Sequence, residues 1–143
     1  MARSDFWFSF PFRVRYAEID AQGIVFNGVY LTYFDTAITE YLREMNYDFE
    51  KQIEDTNTDF HVVKVVVEFA GPVRFDDEID VCVRTGRIGN SSVTFTIEIF
   101  PKGKDKVLTK GEVIWVNAIR GEHQSAPVPE GLIQKIREHE PSV

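Results

Sequence analysis

The stretch from Tyr30 to Met45 most constrains what this chain can become. Tyr30, Phe34, Ala37, Ile38, Tyr41, Leu42 and Met45 recur at three- and four-residue steps, and Leu31 and Tyr33 widen the stripe. That is the period of an α-helix that is apolar over more than half its circumference. Thr32, Asp35, Thr36, Thr39, Glu40 and Arg43 fill the other side. A helix of about four turns with so broad an apolar face needs cover on several sides. Asn27 or Gly28 is placed to begin it, with Asn27 a good N-cap, and Asn46 is placed to stop it.

Strand patterns lie on both sides of this helix. Phe8, Phe10, Phe12, Val14 and Tyr16 alternate with Ser9, Pro11, Arg13 and Arg15, a period-two strand with one apolar face. Pro11 has no amide hydrogen, which suits an edge strand or a bulge. Downstream, four further strands are expected: His61 to Ala70, Ile79 to Arg84, Val93 to Ile99, and Val107 to Ala118. Gly71-Pro72, Asp76-Asp77, Gly89-Asn90 and Lys102-Gly103-Lys104-Asp105 mark the turns, the last two as hairpin connections. Asp48 to Asp59 reads as a short helical turn and a loop, and Pro129 to Glu138 as a short amphipathic helix. One buried helix followed by a run of strands predicts an α+β domain, with a strongly curved antiparallel sheet wrapping the helix.

The length of 143 residues fits a single domain, 1–143, and the 43 % hydrophobic fraction is enough for a sizeable core. A net charge of −7 argues against general nucleic-acid binding but leaves room for a phosphorylated small ligand. Cys82 is the lone cysteine, so no intramolecular disulfide can form, which fits a reducing cytoplasm. Its place in a strand pattern reads as a small core residue. No signal-peptide core is visible, and no stretch reaches the ~20 apolar residues of a membrane span.

The chemistry-bearing residues are few. His61, His123 and His139 show no metal-ligand spacing, so no metal site is expected. There is no serine-nucleophile elbow and no phosphate-binding glycine loop. Carboxylates are left. Asp20 follows the first strand pattern and precedes a glycine turn and the long helix. Read alone, it is equally a capping residue and a reactive carboxylate. Glu18 and Asp20 share a side if the strand continues, one facing a site and the other supporting it. Asp35 sits on the flank of the helix and reads as a solvated or interface residue. A carboxylate beside a helix N-terminus can attack or hydrate a carbonyl, because free backbone N–H groups there receive the developing oxyanion.

At this point the motifs match a known family. Ile19-Asp20-Ala21-Gln22-Gly23-Ile24-Val25-Phe26-Asn27, with Tyr30-Leu31-x-Tyr33-Phe34-Asp35-x-Ala37, resembles the hotdog-fold acyl-CoA thioesterases. The likeness is closest to the 4-hydroxybenzoyl-CoA thioesterase type and covers nearly the whole chain. Val67-Glu68-Phe69-x-x-Pro72-x-Arg74-x-Asp76-Asp77, Gly89-Asn90-Ser91-Ser92 and Val128-Pro129 support it.

The resemblance implies a hotdog fold and a homodimer joined sheet edge to sheet edge, often paired again into a homotetramer, with active sites at the dimer interface. It implies hydrolysis of an acyl-CoA or acyl-carrier thioester, with no cofactor beyond the coenzyme A of the substrate. Asp20 matches the catalytic carboxylate. The backbone N–H of Asn27 matches the group that polarises the thioester carbonyl, and Gly23 gives the turn its shape. Asp35 matches an acidic position that can contact the acyl group, and Phe26, Tyr30 and Phe34 are candidates for the acyl pocket. Where the hydroxybenzoyl enzyme carries a basic cluster, this chain has Ile88-Gly89-Asn90. The coenzyme phosphates must then find other partners, with Arg87, Ser91 and Ser92 the candidates here, alongside Lys102, Lys104 or a second subunit. Asn27 stands where relatives carry Tyr or His, so only its backbone donor carries over. The alternative reading is a hotdog protein that binds an acyl-CoA or acyl carrier without cleaving it. A hotdog hydratase would need an Asp–His pair near the helix, and no histidine lies before His61.

Overall fold

The computed structural model describes residues 1–143. Five strands form one antiparallel sheet in the order β1-β3-β4-β5-β2. They are β1 (Phe8–Arg13), β2 (Thr58–Phe69), β3 (Glu78–Ile88), β4 (Ser92–Pro101) and β5 (Thr109–Ile119). The helices are α1 (Val29–Glu44), α2 (Phe49–Thr56) and α3 (Glu130–His139). This is the hotdog arrangement that the sequence resemblance implies. β1 and β2 are the edges, which accommodates Pro11 without a lost ladder bond inside the sheet.

The broad apolar face of α1 is buried as its period predicts. Tyr33, Phe34, Ala37, Ile38, Tyr41 and Leu42 are almost wholly buried and join Val81, Val83, Phe95, Ile97 and Val113 of the sheet in one core. Asn46 adopts a left-handed φ of 57°, and the Tyr47 N–H reaches back to the Leu42 carbonyl at 3.0 Å, ending the helix where the sequence places its stop. The opposite face of β3 and β4 is also covered. Phe6, Cys82 and Phe100 form a second small cluster there, and Arg3 pairs with the Asp80 carboxylate beside it. Burial pushes the Cys82 thiol up to about 11, which suits a packing role. No helix is long and apolar enough to cross a membrane.

Three expectations need correction. The first strand does not run to Tyr16. It stops at Arg13, the Val14 N–H turns to the Asp77 carbonyl, and Tyr16–Glu18 form a 3-10 turn. Asp48 to Asp59 is not a turn and loop but holds the two-turn helix α2 and the start of β2. Asp48 accepts from the Glu50 and Lys51 amides, and Asn57, at φ 53°, ends the helix. Asn27 is not the cap of α1. Gly28 occupies that position, and no side chain caps the helix.

Gly111 makes the closest fit between α1 and the sheet. A Cβ there would lie 2.5 Å from the ring of Phe34, which fills that space. Phe34 is buried in a packed core, so its ring cannot withdraw freely. Gly111→Ala is expected to destabilise the protein by about 1–3 kcal/mol through overpacking. Thermal denaturation checks this, and an unchanged midpoint would contradict the close fit.

Candidate active site

Asp20 stands on a small hairpin between β1 and α1. Ile19 bridges to Val25. The Phe26 N–H donates to the Glu18 carbonyl at 2.9 Å, and the Asp20 N–H donates to the Ile24 carbonyl at 2.9 Å. At the tip the Gly23 N–H returns to the Asp20 carbonyl at 3.0 Å, which requires the positive φ of 77° at Gly23. The hairpin is tied sideways as well. The Val25 N–H donates to the Val73 carbonyl at 2.8 Å, and Ile24 bridges to Arg74. A polar, exposed tip is thus fixed by backbone bonds on two flanks.

The Asp20 side chain is held by one donor. Its Oδ1 accepts the Gln22 N–H at 2.7 Å. Oδ2 makes no hydrogen bond within the chain and is free to act on a ligand. The same hairpin leads directly into the start of α1. The Phe26 carbonyl takes the Val29 N–H at 2.9 Å, while the amides of Asn27 and Gly28 donate to nothing in the chain. They carry the positive end of the α1 dipole. Phe26 is 55 % exposed, and its ring lies beside Gly28, 3.3 Å from where a Cβ would stand. A partly free carboxylate and two free amides at the mouth of a buried helix are the parts needed to attack or hydrate a carbonyl and hold the resulting oxyanion.

Beneath the hairpin lies Glu18, which the sequence pattern offers as one of a pair of carboxylates, one facing a site and the other supporting it. Glu18 is not beside Asp20 on a continued strand. It is turned inward and buried, with Oε1 accepting from the Tyr33 hydroxyl at 2.9 Å and the Arg15 N–H at 2.8 Å. Oε2 accepts from Arg15 Nε at 3.1 Å and Nη2 at 2.8 Å. Burial pushes this carboxyl up, but the bonds from Arg15 and Tyr33 outweigh it and hold it below the usual carboxylate range. Burial and the Glu18 charge together raise Tyr33 far above an ordinary phenol.

The other candidates are placed unevenly. Tyr30 is only 2 % exposed, its ring edge-on to Phe69 at 5.0 Å, so it shapes the core behind the site. Asp35 lies eight positions beyond Asn27, roughly 12 Å along the helix. It is solvent-facing yet lines a cavity of 240 Å³ with Leu31, Phe34, Val62, Val65 and Val113, and burial raises its carboxyl. Arg87, Ser91 and Ser92 are not brought to Asp20. They stand at the far end of β3, a strand with a contour of roughly 33 Å, whereas the Asp20 hairpin is tied to the segment before its near end. There the Ser91 carbonyl accepts the Asn117 N–H at 2.8 Å and Ser92 closes the β3–β4 turn on Gly89. A larger depression of 620 Å³ opens by His61 and the Ile119–Ser125 turn and contains none of these residues.

Residues 22–108 match the thioesterase superfamily, beginning just past Asp20. The chain is similar to the acyl-CoA thioester hydrolase YbgC of Escherichia coli O6:H1, 25 % identical over 92 % of this chain and 96 % of that one. It is 32 % identical to the acyl-CoA thioesterase YbgC of Haemophilus influenzae over 62 % of this chain, a match that spans just under two thirds, 65 %, of that relative. Among solved structures, a 1,4-dihydroxy-2-naphthoyl-CoA thioesterase from Synechocystis superimposes with a TM-score of 0.84. It covers 93 % of this chain and 97 % of its own at 18 % identity, a likeness of fold.

The tip of the hairpin offers a direct check. A Cβ at Gly23 would meet nothing within 4 Å, so a substitution acts through φ alone. Gly23→Ala is expected to cost about 1–2 kcal/mol. Gly23→Asn, which tolerates the left-handed region better, should cost visibly less. Urea denaturation of both variants tests the order, and equal stability of the two would contradict it.

Proposed function

Since this chain belongs to the thioesterase superfamily, we propose that it hydrolyses an acyl-CoA thioester to the free acid and coenzyme A. The observation that carries this reading is the one hairpin bearing both the Asp20 carboxylate, with Oδ2 free, and the unpaired amides of Asn27 and Gly28. In this reading the acyl carbonyl oxygen rests against the Asn27 N–H, supported by Gly28 and the α1 dipole. A single oxyanion donor of this kind is typically worth ~10²–10³ in turnover. Asp20 Oδ2 then either adds to the carbonyl carbon, expelling the thiolate and leaving a mixed anhydride for water to open, or takes a proton from an attacking water. Phe26 covers the thioester, Tyr30 supports the wall from behind, and Asp35 faces the acyl group from its apolar cavity.

The reading extends to a homodimer, with two dimers pairing into a homotetramer. β2 has one partner, β5, and its other edge is open along twelve residues, with Val62 and Val63 exposed. Such an edge invites pairing with a second copy. In that assembly Arg87, Ser91 and Ser92, remote from their own Asp20, serve the coenzyme at a neighbour's site. The buried lone Cys82 suits a cytoplasmic setting.

A panel of acyl-CoAs read by thiol release tests the activity. Asp20→Asn is expected to lower kcat at least ~10²-fold while the thermal midpoint stays within a few degrees. Wild-type turnover in that variant would remove Asp20 from the reaction. Single-turnover hydrolysis in heavy-oxygen water, with adduct trapping, separates the two roles. Label in Asp20 marks an anhydride opened at the Asp20 carbonyl, and trapping of an Asp20-acyl adduct with hydroxylamine separates an anhydride opened at the acyl carbon from base catalysis. Binding of acyl-CoA without thiol release across the panel would favour a non-catalytic binder. Light scattering is expected to give a mass of two or four chains of 16.5 kDa, and a monomer at all concentrations would oppose the edge pairing.

A further inference from the structure

Glu18 holds a carboxylate, 8 % exposed, that neither the attack nor the oxyanion role employs. A buried carboxylate is costly unless every acceptor position is met. Here each oxygen has two donors, shared among the Arg15 amide, the Arg15 guanidinium and the Tyr33 hydroxyl. The guanidinium meets Oε2 through both Nε and Nη2, while its own side chain is largely solvent-exposed. An exposed cation adds little stability to an ion pair. The geometry around the residue explains the arrangement better than energy does.

Three connections meet at Glu18. Its side chain is fixed to Tyr33, a fully buried residue of α1. Its backbone carbonyl takes the N–H of Phe26, the residue directly before the free amide of Asn27. Two residues further on is Asp20. We infer that Glu18 is the positioning residue of the site, locking the Asp20 hairpin and the Asn27 amide to the frame of α1 so that attacking group and oxyanion donor hold one separation. The inference rests on the proposed thioester hydrolysis for its kinetic consequence, but the locking itself is independent of any reaction.

Glu18→Gln keeps the size of the side chain and an acceptor for Tyr33 while removing the charge that Arg15 grips. Misplacement by an ångström can cost ~10²-fold, so kcat should fall roughly 10–100-fold with KM held within about threefold. Tyr33→Phe should act in the same direction. The double variant should fall short of the product of the two single losses, because both act on the bonds of one side chain. Amide hydrogen exchange gives the activity-free arm. Exchange at Asp20, Gly23 and Phe26 should rise about tenfold or more in Glu18→Gln, while Ile38 and Leu42 in α1 hold their protection. Unchanged exchange in the hairpin overturns the inference. So does a kcat that is intact, or that falls only in step with the folded fraction. A wild-type protein that releases no thiol from any acyl-CoA would defeat the hydrolase reading, and the exchange arm would still decide the role of Glu18.

Discussion

The fold depends on the burial of α1 against the sheet, because that burial lets the first turn of the helix go without a cap. With Gly28 at the cap position, the missing side-chain cap costs only about a few tenths of a kcal/mol. Each large apolar side chain taken out of water returns about 1.5–3 kcal/mol, and α1 buries Tyr33, Phe34, Ile38, Tyr41 and Leu42 almost completely. The burial outweighs the missing cap several times over. The helix therefore forms regardless of how its N-terminus is satisfied, and the amides of Asn27 and Gly28 stay available to a ligand. An N-capping Ser or Asp in place of Gly28 would add stability by accepting the Tyr30 or Leu31 N–H, and would leave the Asn27 and Gly28 amides open.

Two polar clusters in the interior follow the opposite rule, with their groups paired off. Tyr41 donates to Glu140, whose carboxylate also takes the Thr85 N–H, so α3 is pinned across α1 and β3. Gln52 meets Asn117 at 3.1 Å, and Asn117 in turn donates to Thr58 and to the Pro127 carbonyl, which fastens α2 to β5. These clusters are fully enclosed and spend their donors on one another. The contrast marks the Asp20 hairpin. There, a carboxylate oxygen and two amides are left unspent at the surface.

What could be read from the sequence divides along the same line. The 3.6-residue stripe of α1, the alternation of Phe8, Phe10 and Phe12, and the Asn46 stop follow from local pattern, and each appears where the pattern puts it. α2 was hidden because the position its helix turns inward holds Gln52, a polar residue made buriable only by Asn117, 65 positions away. The inward turn of Glu18 was hidden for a similar reason. Period-two alternation placed it on a strand beside Asp20, but the chain leaves the sheet at Arg13, and the partner that draws Glu18 inward is Tyr33, fifteen residues on. Asn27 is an accepted capping type, and no local rule says that its side chain should stay unused. Non-local hydrogen bonds, more than hydrophobic pattern, are what a single sequence conceals.

Asp35 brings these threads to the substrate. Its carboxylate faces a cavity whose other walls are Leu31, Phe34, Val62, Val65 and Val113, and burial already raises its proton affinity. Three of those walls belong to β2 and β5, beside the open edge. A second copy paired along that edge would remove more water from the cavity, raising the Asp35 carboxyl further. In the proposed hydrolysis, a carboxyl so placed would discriminate between acyl groups. A purely aliphatic chain would leave it desolvated and unpaired, whereas an acyl group bearing a hydroxyl would give it a partner. In the proposed dimer, leaving that carboxyl dry and unpaired would cost more than one extra methylene contributes, so Asp35 would weigh more in the choice of acyl group than any single apolar wall beside it.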